Sequence, residues 1–508
     1  MPTALPNSLP TDVESCHALI ALLQEDLVRS QQQVDHLLRR LFGPSSERYD
    51  PNQLPLFEDA VAPPKEEDPE PDASPAKPKR KGHGRKRLSD ELPRKRIVHD
   101  IPEEQKVCPC GRPRVVIGED MSEQLDFTPA SYYVIQHVRP LYSCTDSTCD
   151  CGVVQASKPP QPIEKGLAAP GLIAHVLTSK FCDHLPLHRQ EGIFARHGID
   201  LSRQTLCGLV IQSGERLTPL VAAMIHQVLQ SKVVHTDDTP VHVQDPKKKR
   251  TTRKSYIWPY VGDAAHPYTV FDYTPTRSRE GPEAFLNDFR GTSDAPRYLQ
   301  CDAFAGYNGL FTNGQHVLEV ACWAHSRRKF VDAKGSDPVR AHQALIYIGN
   351  LYAVERQARE LDPVARLALR VERAIPILET FQTWLLQAKA DVLPKSPMGM
   401  AIDYALSNWT ALERYTTDAD LAIDNNAAEQ AIRAVALGRK NWLFFGSDRG
   451  GYAAAVHFSL IASARRHGLD PYAYLRDVLI RIPTQPADRI HELFPDNWKA
   501  ATLEPLNC

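Results

Sequence analysis

Acidic residues at the ends of two strand-like runs could act together on one substrate. Asp237 and Asp238 follow the apolar run "KVVHT", and Asp302 follows "RYLQC". Both runs have the β-branched and apolar composition of buried strands. Carboxylates at the ends of neighbouring strands converge on one edge of a sheet, where they repel one another unless a cation lies between them. Because only oxygen ligands are in view, the sequence favours Mg²⁺ or Mn²⁺ at this edge over zinc.

A third acid, Glu429, lies in a helix that begins just after the segment Asp424-Asn425-Asn426. Arg433 follows one turn later, and Arg439 and Lys440 come after it. We expect Glu429 to complete the acidic site while these three cations face phosphates. Divalent ions held by such a triad would activate water or a sugar 3′-hydroxyl and stabilise the leaving oxygen of a displacement at phosphorus. The alternative interpretation is that a long chain carries acids at strand ends and helix starts without any metal.

These acids must be positioned by an α/β domain that is divided along the chain. Strand-like runs in meander order, a helix and further strands predict a mixed sheet. A long helical stretch follows, in which Ser396 caps a helix with Pro397 in its first turn. We place the first part of the domain at 231–335, a helical insertion at 336–420, the second part at 421–465 and a C-terminal helical element at 466–508.

Two cysteine clusters bracket strand-like runs in residues 98–158. Four thiolates arranged tetrahedrally suit zinc and can hold together a module too small for its own core, so we predict a zinc-ribbon-like module. The first cluster, "CPC", is tighter than the usual Cys-x2-Cys, and three cysteines of the second cluster, "CTDSTCDC", compete for two places. The exact ligand set therefore stays open. Four of five candidates would bind zinc: Cys108, Cys110, Cys144, Cys149 and Cys151.

The chain begins with a predicted coiled-coil helix, which a linker follows. Within residues 1–49, apolar residues recur at alternating three and four spacings, which predicts a zipper-like seam for self-association; packing on the protein's own core is the alternative. Residues 50–97 are first acidic and proline-rich, then basic, and cannot build a core. The basic half would act as a flexible DNA-binding arm or remain a solvated tail. Its candidate DNA contacts are Lys79, Arg80, Lys81, Arg85, Lys86 and Arg87.

Residues 159–230 read as helical and contain the outline of a helix-turn-helix. In "LHRQEGIFARHGIDLSRQTLCGLVIQ" one apolar helix ends near Gly198, and Ser202 can cap a second helix that begins with Arg203. Arg203 is therefore a candidate DNA contact. A plain αα-hairpin has the same pattern, and the residues alone do not separate the two interpretations.

A further basic cluster follows the last strand of residues 231–335, next to the predicted acidic site. We interpret Arg327, Arg328 and Lys329 as DNA contacts, with ordinary surface charge as the alternative. The adjacent His325 is expected to be structural rather than catalytic.

Composition and charge narrow the class of protein. The 508 residues are 42% hydrophobic and 24% charged, as in soluble globular proteins, and their formal net charge is -2. No apolar run approaches the roughly 18 residues of a membrane helix, and no secretory signal is visible at the N-terminus. We therefore expect a cytoplasmic protein without a membrane span, in which DNA binding would depend on local basic patches.

Several longer motifs, taken in order, closely resemble the insertion-sequence transposases of the IS66 type. They are "HTDDTPV", "LQCDAFAGYNGL", "ACWAHSRRKF", "DNNAAEQAIRAVALGRKNWLFFGSDRGG" and "DPYAYLRDVL". The likeness also takes in the zipper, the cysteine module and the helical segment, and it covers nearly the whole chain. The family's catalytic acids map onto Asp237, Asp302 and Glu429. The resemblance thus selects Asp237 over Asp238, where relatives usually carry Glu.

The resemblance implies a DDE transposase with an RNase H-like catalytic core. The implied activity is Mg²⁺- or Mn²⁺-dependent nicking at the ends of the mobile element, which frees 3′-hydroxyls, followed by attack of those hydroxyls on target DNA. Implied partners are the element's terminal repeats, target DNA, further copies of the chain in a homo-oligomer, and accessory proteins that such elements often encode. Two other functions are compatible with the same scaffold: a catalytically silent DNA-binding protein, and a structure-specific nuclease that does not transfer strands.

Overall fold

The computed structural model describes residues 132–135, 141–142, 154–155, 157, 159–164, 166–245, 251–312 and 314–498. These residues fall into two compact units that divide between residues 156 and 157. The predicted coiled coil at 1–49, the linker at 50–97 with its six basic candidates, and the five candidate zinc ligands lie outside the described residues.

The smaller unit contains one pair of strands among its described residues. β1 (Leu141–Tyr142) and β2 (Val154–Gln155) pair antiparallel, with Leu141 opposite Gln155. The second predicted cysteine cluster, residues 144–151, lies between these strands in the sequence.

The larger unit is built on a six-stranded mixed sheet. Its antiparallel part has β5 at the centre. β3 and β4 lie end to end along one edge of β5, since Thr236 pairs with Tyr260 and Thr239 with Ile257, and β6 pairs with the other edge. Beyond β3, β7 and then β8 run parallel to it. The strands are β3 (Val233–Thr236), β4 (Thr239–Gln244), β5 (Thr252–Val261), β6 (Thr269–Thr274), β7 (Arg297–Cys301) and β8 (Val317–Ala321).

The order across the sheet is therefore β6, β5, the β3–β4 line, β7 and β8. This mixed sheet, accompanied by many helices, confirms the predicted α/β class. β3 ends immediately before Asp237, as predicted, and a further strand, β4, begins directly after Asp238. The break between β3 and β4 lies at Asp237 and Asp238.

Helices surround the sheet and fill the rest of the larger unit. None of the helices in the described part of the chain is long and apolar enough to cross a membrane. They are α1 (Pro170–Phe181), α2 (Leu187–Arg196), α3 (Arg203–Val228), α4 (Glu280–Phe285), α5 (Asn308–Thr312), α6 (Trp323–Ala333), α7 (Pro338–Ala358), α8 (Pro363–Leu369), α9 (Ile375–Asp391), α10 (Pro397–Ser407), α11 (Trp409–Glu413), α12 (Asn426–Trp442), α13 (Asp448–Arg466) and α14 (Pro471–Arg481).

Helix α13 packs against the edge strand β6 and against α3. The hydroxyls of Ser459 and Ser463 on α13 accept hydrogen bonds from the backbone amides of Phe271 (2.8 Å) and Thr269 (3.0 Å). These bonds satisfy amides that face away from β5. At Gly214 of α3, an added Cβ atom would lie only 2.7 Å from the Cβ atom of Ala453 on α13, so this close approach requires glycine.

The helices between β8 and α12 share one hydrophobic core with β3, β7 and β8. Trp323 is fully buried in this core, and its ring centre lies 5.8 Å from that of Trp409 and 6.0 Å from that of Phe381. The predicted cap of α10 is confirmed, because Ser396 Oγ accepts a hydrogen bond from Gly399 N at 3.0 Å. The sheet and the helical stretch are therefore packed as one body rather than joined by a loose connection.

A buried guanidinium fixes the end of this helical stretch. The side chain of Arg370 is 3% exposed and pairs with Glu355 at 2.8 Å. It also donates hydrogen bonds to the carbonyl oxygens of Tyr415 (2.8 Å), Asp418 (2.9 Å) and Leu421 (2.9 Å). Because a buried charge is tolerated only with such partners, these bonds hold the chain that leads into α12.

Candidate functional site

The sheet register brings two of the predicted acids together. β3 and β7 are parallel neighbours in which His235 pairs with Gln300, so the residues two positions later, Asp237 and Asp302, come to the same level. Oxygens of Asp237, Asp238 and Asp302 lie within 4.8 Å of one another. The strand-end acids therefore form one cluster at the carboxyl ends of β3 and β7.

The ionisation of this cluster is strongly disfavoured. Burial, and next the negative charge of Asp302, raise the pKa of Asp237 to about 8. Burial also raises the pKa of Asp302, although the nearby Arg277 opposes that shift. The charged groups that act on Asp237 are all acids: Asp302, Asp238 and Glu429. A hard divalent cation would restore the ionised form of these carboxylates, and their oxygen atoms are the ligands that such a cation prefers.

A basic residue that the sequence did not single out distinguishes Asp238 from Asp237. Arg277, in the turn after β6, donates from Nε (2.8 Å) and Nη2 (2.5 Å) to Asp238 Oδ1. Its guanidinium also lies 4.0 Å from the ring centre of Phe304. The Asp238 side chain is only 5% exposed, whereas that of Arg277 is 40% exposed, so a buried carboxylate is paired with a guanidinium that water still reaches. Arg277 thus neutralises Asp238 and leaves Asp237 without a cation of its own.

Helix α12 is fastened to the end of β3 by a buried amide. Asn425 is fully buried and immediately precedes the helix. Its Nδ2 donates to Thr236 O at 2.8 Å, and its Oδ1 lies 3.2 Å from His235 Nδ1. Its backbone amide donates to Cys322 Sγ at 3.2 Å. The first turn of α12, which carries Glu429, is therefore held beside the strand that leads into Asp237.

The neighbouring strand holds the same segment from its other side. Gln300 of β7 donates from Nε2 to the carbonyl oxygens of Ala422 (2.6 Å) and Asp424 (2.8 Å). Gln300 is fully buried and comes two residues before Asp302. Both strands that end in acids thus also position the start of α12, which explains how an acid so distant in the sequence reaches the same region.

Glu429 lies next to the aspartate cluster, in a second group of ligand-type side chains. One of its oxygens, a ring nitrogen of His325 and Cys322 Sγ lie within 4.8 Å of one another. The distance from Glu429 Oε1 to His325 Nδ1 is 3.9 Å. Burial, ahead of every other cause, raises the pKa of Glu429, and the charge of Asp302 adds to the effect. Burial lowers the pKa of His325 to about 4, so its ring is neutral at pH 7.

Glu429 Oε1 and His325 Nδ1 are both buried atoms without a hydrogen-bond partner among the described residues. A buried carboxylate oxygen without a partner lowers the free energy of unfolding unless a cation or a hydrogen-bond donor reaches it. The three aspartates offer only carboxylate oxygens, the ligands that a hard divalent cation prefers, whereas Glu429 lies in the group that also contains Cys322 and His325.

The predicted basic contacts near the acids divide into exposed side chains and less exposed ones. On α6, Arg328 and Lys329 are exposed, and Lys329 Nζ lies 5.3 Å from the ring centre of Tyr404. Arg327 is instead buried, with 6% of its surface exposed. The interpretation of Arg327 as a surface DNA contact therefore needs correction, because its position in the helix turns it towards the core.

On α12 the same division holds. Arg433 and Lys440 are exposed. Arg439 donates from Nη1 to Thr239 Oγ1 (2.8 Å) and Pro240 O (2.5 Å), which ties the helix to β4. Arg439 thus has a packing role that the sequence did not reveal.

The helix-turn-helix outline has the expected local geometry. α2 ends just before Gly198, whose φ of 74° allows the turn, and Ser202 caps α3 by accepting a hydrogen bond from Thr205 N at 3.2 Å. Arg203 is exposed at the first turn of α3. α3 is 26 residues long and beyond that turn buries Leu217, Leu220 and several other apolar residues in the core. A DNA-binding helix-turn-helix and a plain αα-hairpin both have this geometry.

Comparisons with known proteins cover nearly every segment. A family model described as "Transposase IS66 family" matches residues 165–453, and "IS66 C-terminal element" matches residues 459–495. "Transposase C of IS166 homeodomain" matches residues 29–97. "Zinc-finger binding domain of transposase IS66" matches residues 105–152, which include all five candidate cysteines and so support structural zinc.

Similar full-length proteins are found in Sinorhizobium fredii. The chain is 33% identical to the uncharacterized protein y4jD over 97% of each chain. It is 32% identical to the uncharacterized protein y4hP over 94% of this chain and 90% of that one. These matches extend across both units of the structure.

Proposed function

Because the chain belongs to the IS66 transposase family, we propose that it cuts the ends of a mobile DNA element and joins the freed 3′-hydroxyls to target DNA, with Asp237, Asp302 and Glu429 at its catalytic centre. One observation carries the proposal. Two acids end adjacent parallel strands, and the buried residues of those strands also hold the first turn of the helix that carries the third acid. This convergence favours a metal-dependent phosphodiester site over the alternative that the acids merely lie at strand ends and a helix start.

We further propose that the sheet is an RNase H-like core. The strand order supports this reading, since three antiparallel segments, β6, β5 and the β3–β4 line, are followed by the parallel strands β7 and β8. The first acid then lies on the central strand and the second on its parallel neighbour. In this reading the helical stretch at 336–420 is an insertion between β8 and the helix of Glu429.

Asp237, Asp302 and Glu429 would hold Mg²⁺ or Mn²⁺. Bound there, the ions would activate water or a 3′-hydroxyl and stabilise the leaving oxygen of an in-line displacement. The chain's other residues keep these acids in position. Arg277 removes the charge of Asp238 from the cluster, and the Tyr404 hydroxyl donates to the backbone oxygen of Asp302 at 3.2 Å.

DNA binding would use the exposed cations around this centre, together with the basic half of the linker at residues 50–97. Each phosphate contact adds salt-dependent affinity without sequence preference. Because two element ends must be joined in one complex, we also propose a homo-oligomer, paired through the N-terminal zipper. The exposed candidates among the described residues are Arg203, Arg328, Lys329, Arg433 and Lys440.

A single substitution tests the catalytic assignment. Asp302→Ala should abolish Mg²⁺-dependent nicking of element-end DNA while leaving binding of that DNA unchanged, because it removes a charge from the centre and none from the basic surface. Glu360→Ala, at an exposed acid outside the site, is the matched control and should nick normally. Undiminished nicking by Asp302→Ala would refute the assignment.

A second assay separates a transposase from a nuclease on the same scaffold. A pre-cut element end with a free 3′-hydroxyl is incubated with target DNA and Mg²⁺. Strand transfer predicts covalent joint molecules, and their consistent absence alongside active nicking would favour a nuclease.

A further inference from the structure

The turn that follows α12 holds Leu443 in a backbone conformation that residues other than glycine rarely adopt. Its φ is 61° and its ψ is -48°, and Phe444 N donates to Trp442 O at 2.7 Å. This is a three-residue γ-turn with positive φ, a strained geometry that costs on the order of 1–3 kcal/mol. Such strain persists only where the surroundings enforce it.

Both sides of the turn are fixed. Phe445 N donates to His242 O at 2.8 Å, and Gln244 N donates to Phe445 O at 2.8 Å, so the chain after the turn is attached to β4. The buried rings of Trp442 and Phe445 stack with their centres 4.5 Å apart. The two residues between these rings therefore cannot relax into an ordinary loop.

The strained backbone at Leu443 holds apolar side chains in solvent rather than in the core. Leu443 is 62% exposed and Phe444 is 46% exposed, although the rings on either side of them are buried. Exposed apolar residues are common on proteins and mean little alone. An apolar pair that is kept outside by a strained and doubly anchored backbone needs another explanation.

A line of side chains connects this pair to the proposed catalytic centre. Glu429, Arg433, Leu437 and Lys440 are spaced four, four and three residues apart, which places them along one face of α12. The last three are exposed. At about 1.5 Å per residue, the helix carries this face about 20 Å from Glu429 to the turn. That length matches roughly six base steps of about 3.4 Å along one DNA strand.

We infer that Leu443 and Phe444 form a wedge that enters the base stack of element-end DNA about six steps from the cut phosphate. The inference rests on the proposed function. DNA is the occupant that fits both features of the surface, because the cations Arg433 and Lys440 lead to the wedge and face the phosphates of a strand that runs along α12. Apolar side chains are inserted between bases in this way by proteins that kink or open a duplex.

Base unstacking reports the wedge directly. Duplexes that carry the element's terminal repeat are prepared with 2-aminopurine at each position from three to nine steps inside the cut site, and fluorescence is measured on binding. The wild-type protein should raise the fluorescence at one or two adjacent positions near step six. Phe444→Ala should lose most of that increase and bind the duplex about 5- to 100-fold more weakly. Leu386→Ala, at an exposed leucine on α9, is the matched control and should behave as wild type.

A second variant separates loss of the wedge from loss of folding stability. Leu443→Gly relieves the positive φ and removes one of the two apolar side chains, so it should melt at a higher temperature than wild type while it loses part of the fluorescence increase. A gain in both stability and unstacking, or equal unstacking by Phe444→Ala, would overturn the wedge. A change in oligomeric state of the DNA-free Phe444→Ala protein with unstacking preserved would do so too, and would assign the pair to self-association.

The wedge and the proposed function can fail separately. Asp302→Ala should keep the fluorescence increase while it loses nicking. Nicking by wild type without an increase at any tested position would reject the wedge alone. A wild-type protein that neither binds nor nicks the terminal repeat would reject the proposed function and the wedge together.

Discussion

Replacing Asp237 with asparagine should stabilise the metal-free protein while abolishing nicking. The carboxylate of Asp237 is buried beside Asp302, and these two causes raise its pKa to about 8. A group whose pKa is higher in the folded than in the unfolded protein favours folding when it is protonated, and this contribution is lost as the pH rises through the folded-state pKa. Asparagine has similar size and no charge, so it avoids that loss.

The size of the effect follows from the shift. The pKa rises from 3.8 to about 8. At 1.36 kcal/mol per unit, this sets an upper limit of about 6 kcal/mol for the destabilisation of the wild type above pH 8. Buried acids relax and admit water, so we expect a stabilisation by Asp237→Asn of about 1–3 kcal/mol at pH 9 and close to none at pH 4.

Chemical denaturation of the wild type and Asp237→Asn from pH 4 to pH 9, without added Mg²⁺, measures this difference. Glu360→Gln is the control and should give the same small difference at every pH. Adding Mg²⁺ should stabilise the wild type more than Asp237→Asn, because a cation held by the acids offsets their repulsion. The reasoning fails if Asp237→Asn is less stable than wild type at pH 9, or if its stability relative to wild type does not change with pH.

Three further substitutions test the roles assigned to other side chains. Arg277→Ala leaves the buried Asp238 carboxylate without its cation and should destabilise the protein by about 1–3 kcal/mol in urea unfolding at pH 8, with partial rescue by a second substitution, Asp238→Asn. The control Arg279→Ala removes a guanidinium that is 73% exposed and should change stability by less than about 0.5 kcal/mol. Arg370→Ala removes the partner of one carboxylate and three carbonyls and should cost about 3–5 kcal/mol; a loss below 1 kcal/mol would contradict the role assigned to that guanidinium. Cys108→Ser should lower the zinc content of the purified protein by elemental analysis and weaken end recognition, and a wild-type protein free of zinc would contradict this prediction.

The convergence of the strand-end acids could be predicted because it depends on short-range patterns. Apolar runs identify β3 and β7, and each is followed by an acid at the point where the run ends. Once β3 and β7 are parallel neighbours, the register that pairs His235 with Gln300 brings Asp237 and Asp302 to the same level. Ser396 and Ser202 could be assigned as caps for the same reason, since a cap depends on residues within one turn.

The partners of individual side chains could not be predicted in this way. Asn425 looks like an ordinary helix-start residue, yet it makes no capping bond and instead uses its amide to bind Thr236 and His235. The choice of Asp238 as the partner of Arg277 likewise depends on a turn from another part of the chain. The strained turn at Leu443 leaves no mark in composition or periodicity, because it depends on contacts made only when distant segments pack together. The burial of Arg327 could have been found from helical periodicity, since Arg327 lies four residues after Trp323 and three before Phe330 on the buried face of α6.

The dense attachment of the helical stretch to the sheet bears on how the third acid is positioned. Arg370 donates to carbonyl oxygens of the segment from Tyr415 to Leu421, and Gln300 donates to carbonyl oxygens that follow it. Asn425 then donates to β3. Successive hydrogen bonds therefore lead from the helical stretch to the first turn of α12. Tyr404 adds a bond from the same stretch to the backbone of Asp302. If the three acids act as proposed, the stretch from α7 to α11 contributes to catalysis by fixing where Glu429 stands relative to Asp302. Substitutions in its core should then lower nicking before they unfold the sheet, whereas a separately folded insertion would leave nicking unchanged.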